Sequence, residues 1–287
     1  MLAERISGIL GSKLGGDVVS ALPIGGGDVN DAYRIELEGA RIVFAKTHPD
    51  PPDDFFTTEA HSLAWLREAN AVGIPRTLAY SDGEPAFLAL QWIEQGQPSA
   101  DADADFGRSL ALLHRAGAPT FGREDKRTTG SRRLPNQPCD TWPDFFVTQR
   151  LEPLIKLAAD ADALPGKALR DIERVADRID ILAGPREPAA RLHGDLWGGN
   201  RMVDLEGRSW LIDPAAHGGH REYDLAMMRL FGGFGESCFS AYDELFPVMD
   251  GWTKRLPLHQ LPPLIVHAIK FGGHYVGRVE QALLQLR

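Results

Sequence analysis

The sequence predicts an α+β fold in two lobes, and three observations carry that prediction. Between residues 18 and 93, short runs of alternating apolar and polar residues are separated by glycine turns, which is the period of antiparallel strands. From Asp101 onward the apolar residues recur at helical spacing. Within that helical half, Arg191–His193 and Ser209–Ile212 are two short apolar or β-prone runs, each followed closely by an Asp, with a polar glycine-rich loop between them. An antiparallel β N-lobe over 1–93 and a mainly helical C-lobe over 94–287 are expected.

In chain order, residues 1–16 read as a short helix with Ile6, Ile9 and Leu10 on one face. Val18–Ile24 reads as a strand, followed by Gly25, Gly26, Gly27 and Asn30, then a strand on which Tyr33, Ile35 and Leu37 alternate. Gly39 marks a turn into Arg41–Thr47, where alternation places Lys46 on one face with Ile42 and Phe44. An ammonium among apolar neighbours needs partners. Phe55–Asn70 reads as a helix with Ala60, Leu63, Ala64 and Leu66 as its stripe, and it offers Glu59, or failing that Glu68, as the carboxylate. Thr77–Ser81 and Ala86–Ile93 are two more strands around an Asp82-Gly83 turn.

Beyond Asp101, Phe106, Leu110 and Leu113 define a helix ending near Gly117, on which His114 reads as a packed residue. Residues 118–137 read as loop. Trp142, Phe145 and Phe146 open another helix; at that spacing they read as core, with a sugar-lining role as the alternative. Leu169, Ile172, Val175, Ile179 and Leu182 mark one long amphipathic helix, and Arg221–Phe231, Ser237–Trp252 and Pro263–Leu286 read as further helices.

The chemistry concentrates in 191–224. Asp195 precedes Asn200 by five positions, His193 stands two before Asp195, and Asp213 follows in -LIDP-. This is the protein-kinase pattern of a catalytic loop followed by a metal-binding Asp. Phosphoryl transfer wants these residue types. One carboxylate, Asp195, orients an acceptor hydroxyl and takes its proton, while an amide oxygen, Asn200, and a second carboxylate, Asp213, hold Mg²⁺ on hard oxygen ligands. The strand–glycine turn–strand at 18–37 is the kinase manner of laying backbone N–H groups over ATP phosphates. It is neither a Walker A loop nor a Rossmann fingerprint, because no Gly-Lys-Ser/Thr occurs and no helix follows the glycines.

The wording of the stretch goes further. HGDLWGGN, LIDPAAHGGHREYDLAMMRLFGGF, GGDVNDAYR, W-x-x-F-F-x-x-x-R-L and FGGHYVGRVE together resemble the fructosamine/ketosamine-3-kinase family, over nearly the whole chain. That family belongs to the aminoglycoside-phosphotransferase-like group, so the resemblance implies a protein-kinase-like fold with ATP and Mg²⁺ as cofactors. It implies that Lys46 pairs with Glu59, that backbone groups of Gln91, Trp92 and Ile93 form the adenine hinge, that Trp197 shapes the sugar pocket, and that His193 and Asp224 brace the catalytic loop. Relatives usually have Glu where this chain has Gln91, and some have Cys where it has Asp28, so a thiol switch at that position is absent. The implied substrate is a ketosamine, a sugar joined through an amine to lysine, phosphorylated on O3 so that the adduct breaks down. Choline, thioribose and aminoglycoside kinases share the core and remain alternatives.

Composition excludes little but points the same way. The chain has 287 residues and a net charge of 31 − 40 = −9, which disfavours nucleic-acid binding and suits a cationic substrate. No apolar run approaches 18 residues, Met1–Leu10 lacks a signal-peptide core, and Cys139 and Cys238 have no metal spacing, so a cytoplasmic monomer without a membrane span is expected. His193, Asp195, Asp213, His217 and His220 lie close enough in sequence to raise a metal-dependent hydrolase as a rival. A kinase-shaped binding module is a second rival, against which all the catalytic positions are filled.

Overall fold

A computed structural model describes residues 2–25, 30–125 and 133–287, with 2–7 described by backbone alone. Gly26, Gly27 and Asp28 therefore lie outside the described residues. The elements run in the order α1 (Leu2–Leu14), β1 (Val18–Ile24), β2 (Asp31–Leu37), β3 (Arg41–His48), α2 (Phe55–Glu68), β4 (Thr77–Ser81), β5 (Ala86–Gln91) and α3 (Ala102–Arg115). Then come α4 (Trp142–Phe146), a π-helical turn (Val147–Leu151), α5 (Glu152–Asp160), α6 (Gly166–Asp177), α7 (Ile179–Leu182) and β6 (Ala190–Leu192). A 3₁₀ turn (Gly198–Asn200), β7 (Arg201–Val203), β8 (Ser209–Leu211), β9 (His217–Gly219), α8 (Glu222–Phe231), α9 (Glu236–Leu245), α10 (Trp252–Phe271) and α11 (His274–Gln285) complete the chain.

Packing divides the chain into two compact units. The first holds the residues up to Ala102 together with Met202–Pro214, and the second holds Asp103–Arg201 and Ala215–Arg287. In the first unit, five antiparallel strands form one sheet in the order β1-β2-β3-β5-β4. Val43 and Ala45 of β3 join Leu10, Ile35, Leu37, Phe87 and Ala89 in the core on one face. Alternation sends Lys46 to the other face, in register with Ala32 on β2 and Leu88 on β5. The N-terminus of α2 is closed from a distance: the Asp82 carboxylate accepts the backbone N–H of Phe56 at 2.6 Å and of Thr57 at 3.2 Å.

The β7–β8 hairpin packs with this unit because two glycines let backbones meet. Gly73 donates its N–H to Ser209 O at 3.1 Å and accepts the Leu211 N–H at 2.8 Å, and Gly96 donates to Val203 O at 2.9 Å. A Cβ on Gly73 would fall 2.6 Å from the Trp210 ring, and one on Gly96 would fall 2.3 Å from Asp204 O.

In the second unit, Trp142, Phe145 and Phe146 are buried with Leu154, Ile172, Leu258 and Leu264 in one core. The structure thus gives these three aromatics the core role. Thr141 Oγ1 caps α4 by accepting the Asp144 N–H at 3.2 Å, with a proline in the first turn. The helix pattern differs from expectation in three places, the first being that the helix expected over Ser237–Trp252 ends at Leu245. The long helix over 169–182 is two, because Arg178 (φ −111°, ψ 11°) breaks it between α6 and α7. The expected helix from Pro263 instead begins at Trp252 and passes through Pro257, Pro262 and Pro263, ending at Gly272 and Gly273 (φ 60° and 55°) before α11. Interior prolines cost a helix about 3 kcal/mol each. Burial of Leu258, Leu261, Leu264 and Ile265 on this helix offsets that cost, a tertiary effect that local propensity does not carry.

Candidate active site

In the first unit, Lys46 is 6 % exposed and is held by two carboxylates. Its Nζ lies 2.7 Å from Glu59 Oε1 and donates to Asp213 Oδ1 at 2.6 Å. Glu59, on α2, is itself 4 % exposed, whereas Glu68 sits exposed at the end of that helix. Asp213 follows β8 in the left-handed region (φ 52°), and its side chain is 54 % exposed. Burial alone would lower the Lys46 pKa, but Glu59 and Asp213 outweigh it and raise it, so the ammonium stays charged. Burial pushes the Glu59 carboxyl up, to about 7, against the pull of Lys46. The contact from Asp213 to Lys46 spans 167 positions, and no sequence signal announces it.

Around this pair, Gly25 ends the described part of the glycine turn, and the buried Asn30 Oδ1 has no hydrogen-bond partner. At the end of β5, Gln91 donates its N–H to Arg76 O at 2.8 Å. The Trp92 indole donates to Glu94 Oε2 at 2.8 Å under the Arg34 guanidinium, and Ile93 is buried.

In the second unit, the loop after β6 is built from its backbone outward. Asp224 of α8, fully buried, accepts the N–H of His193 at 2.7 Å and of Gly194 at 2.9 Å. Burial would raise the Asp224 pKa, but the contacts with His114, His193 and Gly194 hold it below the usual carboxylate range. His114 lies 3.3 Å from Asp224 Oδ2 through Nε2 and 2.8 Å from Tyr242 Oη through Nδ1. The helix residue read as mere packing is thus a buttress for Asp224. Gly194 takes φ 82°, and a Cβ there would fall 2.1 Å from Ala215 O, so the turn before Asp195 requires glycine.

Asn200 closes the loop: its Nδ2 donates to Asp195 O at 2.8 Å and reaches Asp195 Oδ2 at 3.3 Å. The amide N–H₂ is therefore committed to Asp195, and Oδ1 is the atom left for a hard cation. Gly198 donates to Gly232 O at 3.1 Å, and a Cβ on Gly233 would fall 2.5 Å from Gly198 Cα. The two glycine pairs, -GGN- and -FGGF-, are thus two halves of one backbone contact. Trp197 is 42 % exposed with its six-membered ring over Gly199, where a Cβ would fall 2.3–2.6 Å from the ring.

The histidines that suggested a hydrolase have other work. His217 is buried, its Nδ1 donating to Ala215 O at 2.9 Å and its ring stacked on Phe145 at 5.3 Å. Burial and Arg150 lower its pKa to about 3. Among the described residues, His220, Glu222 and His259 bring ligand atoms within 4.8 Å of one another. The Arg255 guanidinium grips both Glu222 oxygens, however, and the Glu222 N–H points at His220 Nδ1 from 3.4 Å. A metal ligand would need that ring nitrogen to carry its own proton, so this is an ion-pair cluster and the donor set does not suit a metal.

The sequence model of the fructosamine kinase family matches residues 3–287. The chain belongs to that family. The kinase is 37 % identical over 274 residues to a probable ketoamine kinase of Enterococcus faecium, covering 94 % of this chain and 95 % of the relative. It is 36 % identical over 263 residues to another of Thermus thermophilus, covering 92 % of each. A candidate fructosamine-3-kinase of Thermobifida fusca has the same fold with a TM-score of 0.91 at 37 % identity, covering 98 % of each chain. A spectinomycin phosphotransferase solved with ADP and spectinomycin shares the fold at a TM-score of 0.59 and 15 % identity, over 99 % of this chain and 93 % of that one. The kinase is accordingly a phosphotransferase with the kinase-like α+β fold, and the hydrolase and binding-module readings fall away. Among the described residues, no helix is long and apolar enough to cross a membrane.

Proposed function

We propose that this kinase transfers the γ-phosphoryl group of ATP to the O3 hydroxyl of a ketosamine, a sugar carried on the amine of lysine, and so acts in deglycation. The carrying observation is Lys46 gripped by Glu59 and Asp213, a buried cation whose charge is fixed and placed. Such an ammonium has anionic oxygens as its natural further ligand, and a triphosphate supplies them. The relatives' names supply the acceptor class.

In this reading residues 1–93 form the nucleotide lobe and residues 94–287, with the catalytic loop, the metal ligands and the substrate pocket, form the second lobe. Backbone groups of Gln91–Ile93 receive adenine, while Gly25, Gly26, Gly27 and Asn30 cover the phosphates. Asn200 Oδ1 and Asp213 would hold Mg²⁺, which would neutralise charge on the triphosphate. Asp195 orients the O3 hydroxyl and accepts its proton as the phosphoryl group leaves ADP. His193 and Asp224 hold the backbone of that loop, and Trp197 lies along the sugar.

The test is ATP consumption with fructosamine, ribulosamine and erythrulosamine derivatives, with choline and an aminoglycoside as controls. Asp195→Asn is expected to lower kcat by at least about 10²-fold, the scale of general-base catalysis, with ATP affinity nearly intact. Near-normal turnover by that variant, or phosphorylation of the controls alone, overturns the reading.

A further inference from the structure

The turn that carries Asn200 is held at both ends by one short piece of chain. At its start, Gly198 donates its N–H to Gly232 O, and Gly233 lies against Gly198 Cα. At its end, Arg201 Nη1 donates to Asp103 Oδ1 at 2.5 Å. The other oxygen of that carboxylate, Asp103 Oδ2, accepts the Gly235 N–H at 2.6 Å. Residues 198–201 and 232–235 are thus clamped together, by backbone at one end and through Asp103 at the other.

Asp103 lies in the first turn of α3, within the run DADAD at 101–105, which no step of the reaction above uses. Packing fixes its place. Gly107, one turn further along α3, lets that helix approach the backbone of α9: a Cβ there would fall 2.0 Å from Cys238 O. Gly235 is the residue that caps α9, so the Asp103 carboxylate sits at the N-terminus of that helix.

The Arg201 side chain is 6 % exposed. Its guanidinium carbon lies 4.5 Å from the centre of the Phe106 ring and 5.8 Å from that of Phe234, and the two rings are themselves stacked at 5.4 Å. Burial would raise the Asp103 pKa, but Arg201 and the Gly235 N–H lower it, so the pair stays ionised. A carboxylate that served only to neutralise Arg201 would leave its second oxygen to water. Here that oxygen reaches the segment that also holds Gly198.

We propose that Asp103, acting through Arg201 and Gly235, is a positioning residue for Asn200, holding the turn at 198–201 in the form that binds a hard cation. This role rests on the reading of Asn200 Oδ1 as a metal ligand. Asn200 Nδ2 is bonded to Asp195 O, so a turn that loosens displaces the ligand atom and the acceptor-orienting carboxylate together.

The experiment titrates Mn²⁺, which takes the same oxygen ligands as Mg²⁺, into the full chain saturated with ADP, and reads bound Mn²⁺ by electron paramagnetic resonance against an ADP-only blank. Asp103→Ala and Arg201→Ala are each expected to weaken Mn²⁺ binding by about 10-fold, the lower end for losing a group that orients a ligand, and to leave metal-free ADP affinity unchanged. The double variant should lose little more than either single one, because both break one contact. Asp103→Glu, which keeps two acceptor oxygens, should recover part of the loss. Glu236→Gln breaks the neighbouring exposed pair with Arg229 and should bind Mn²⁺ as wild type does. Asn200→Ala sets the scale, with a loss at least as large as that of Asp103→Ala. Thermal melting separates a folding defect from a binding one, and the isosteric Asp103→Asn keeps the test open should Asp103→Ala not fold. Wild-type Mn²⁺ affinity in folded Asp103 variants, or an equal loss in Glu236→Gln, overturns the positioning role while a weakened Asn200→Ala leaves the ligand reading standing. Wild-type affinity in Asn200→Ala overturns both.

Discussion

Lys46 shows how far one side chain can be determined by its surroundings. A buried ammonium flanked by Glu59 and Asp213 is stable only as a set, because removing one member strands the charge of another. Lys46→Met leaves Glu59 buried beside Asp213 without its cation. We expect it to destabilise the fold by about 3 kcal/mol, the scale for breaking a buried pair, and to abolish ATP binding. Glu59→Gln should cost less, because the neutral amide is cheaper to bury and Asp213 still holds Lys46. Urea unfolding and nucleotide titration of the two variants check this order; equal stability of Lys46→Met and wild type would contradict it. Asp224 illustrates the same logic for an anion, since His114, His193 and Gly194 all address it.

At the scale of elements, glycines decide which backbones can touch. Gly96 admits the β7–β8 hairpin at Val203, and Gly73 admits it at Ser209 and Leu211. Gly96→Ala sets a methyl group 2.3 Å from Asp204 O, and backbone cannot yield as a flexible side chain can. A loss of about 1–3 kcal/mol is expected, as for overpacking in a core, together with reduced turnover because the hairpin leads into Asp213. Gly207→Ala in the same hairpin offers the comparison: its φ of 81° strains alanine too, but nothing lies within 4 Å of the new Cβ. A larger loss of denaturant midpoint and rate for Gly96→Ala than for Gly207→Ala separates close approach from backbone conformation. The reverse order would show that the hairpin contact is unimportant.

For the whole molecule, the buried titratable groups set the response to acid. Burial holds His217 near 3 and His220 near 4, both far below an exposed imidazole. As pH falls through about 6.5, the unfolded chain binds two protons there that the folded chain refuses, so stability falls. Glu59, raised to about 7, acts in the opposite sense: from 7 down to its unfolded value the folded chain takes up one proton first. Glu222, which burial would raise but Arg255 and His259 hold near 2, adds a further loss below about 4.5. In the window from 6.5 to 4.5 the depressed histidines outnumber the one raised carboxyl, so stability falls as pH falls. Urea midpoints measured from pH 8 to pH 4.5 should therefore hold near neutrality and fall below about pH 6.5. A midpoint that rises on acidification would refute this account.

Much of the site was legible because its chemistry is local in sequence. Asp195 and Asn200 lie five positions apart and share one loop, and the alternation of β3 places Lys46 opposite the core-facing Val43 and Ala45 whatever the rest of the chain does. The strands and the family were likewise written in periods and short words. The contacts that complete the site are not local: Asp213 to Lys46, His114 to Asp224, and Gly198 to Gly233. A sequence period reports only neighbours along one helix or strand. Which distant groups meet is decided by burial and by whether two backbones can approach, and both exist only once the chain is packed.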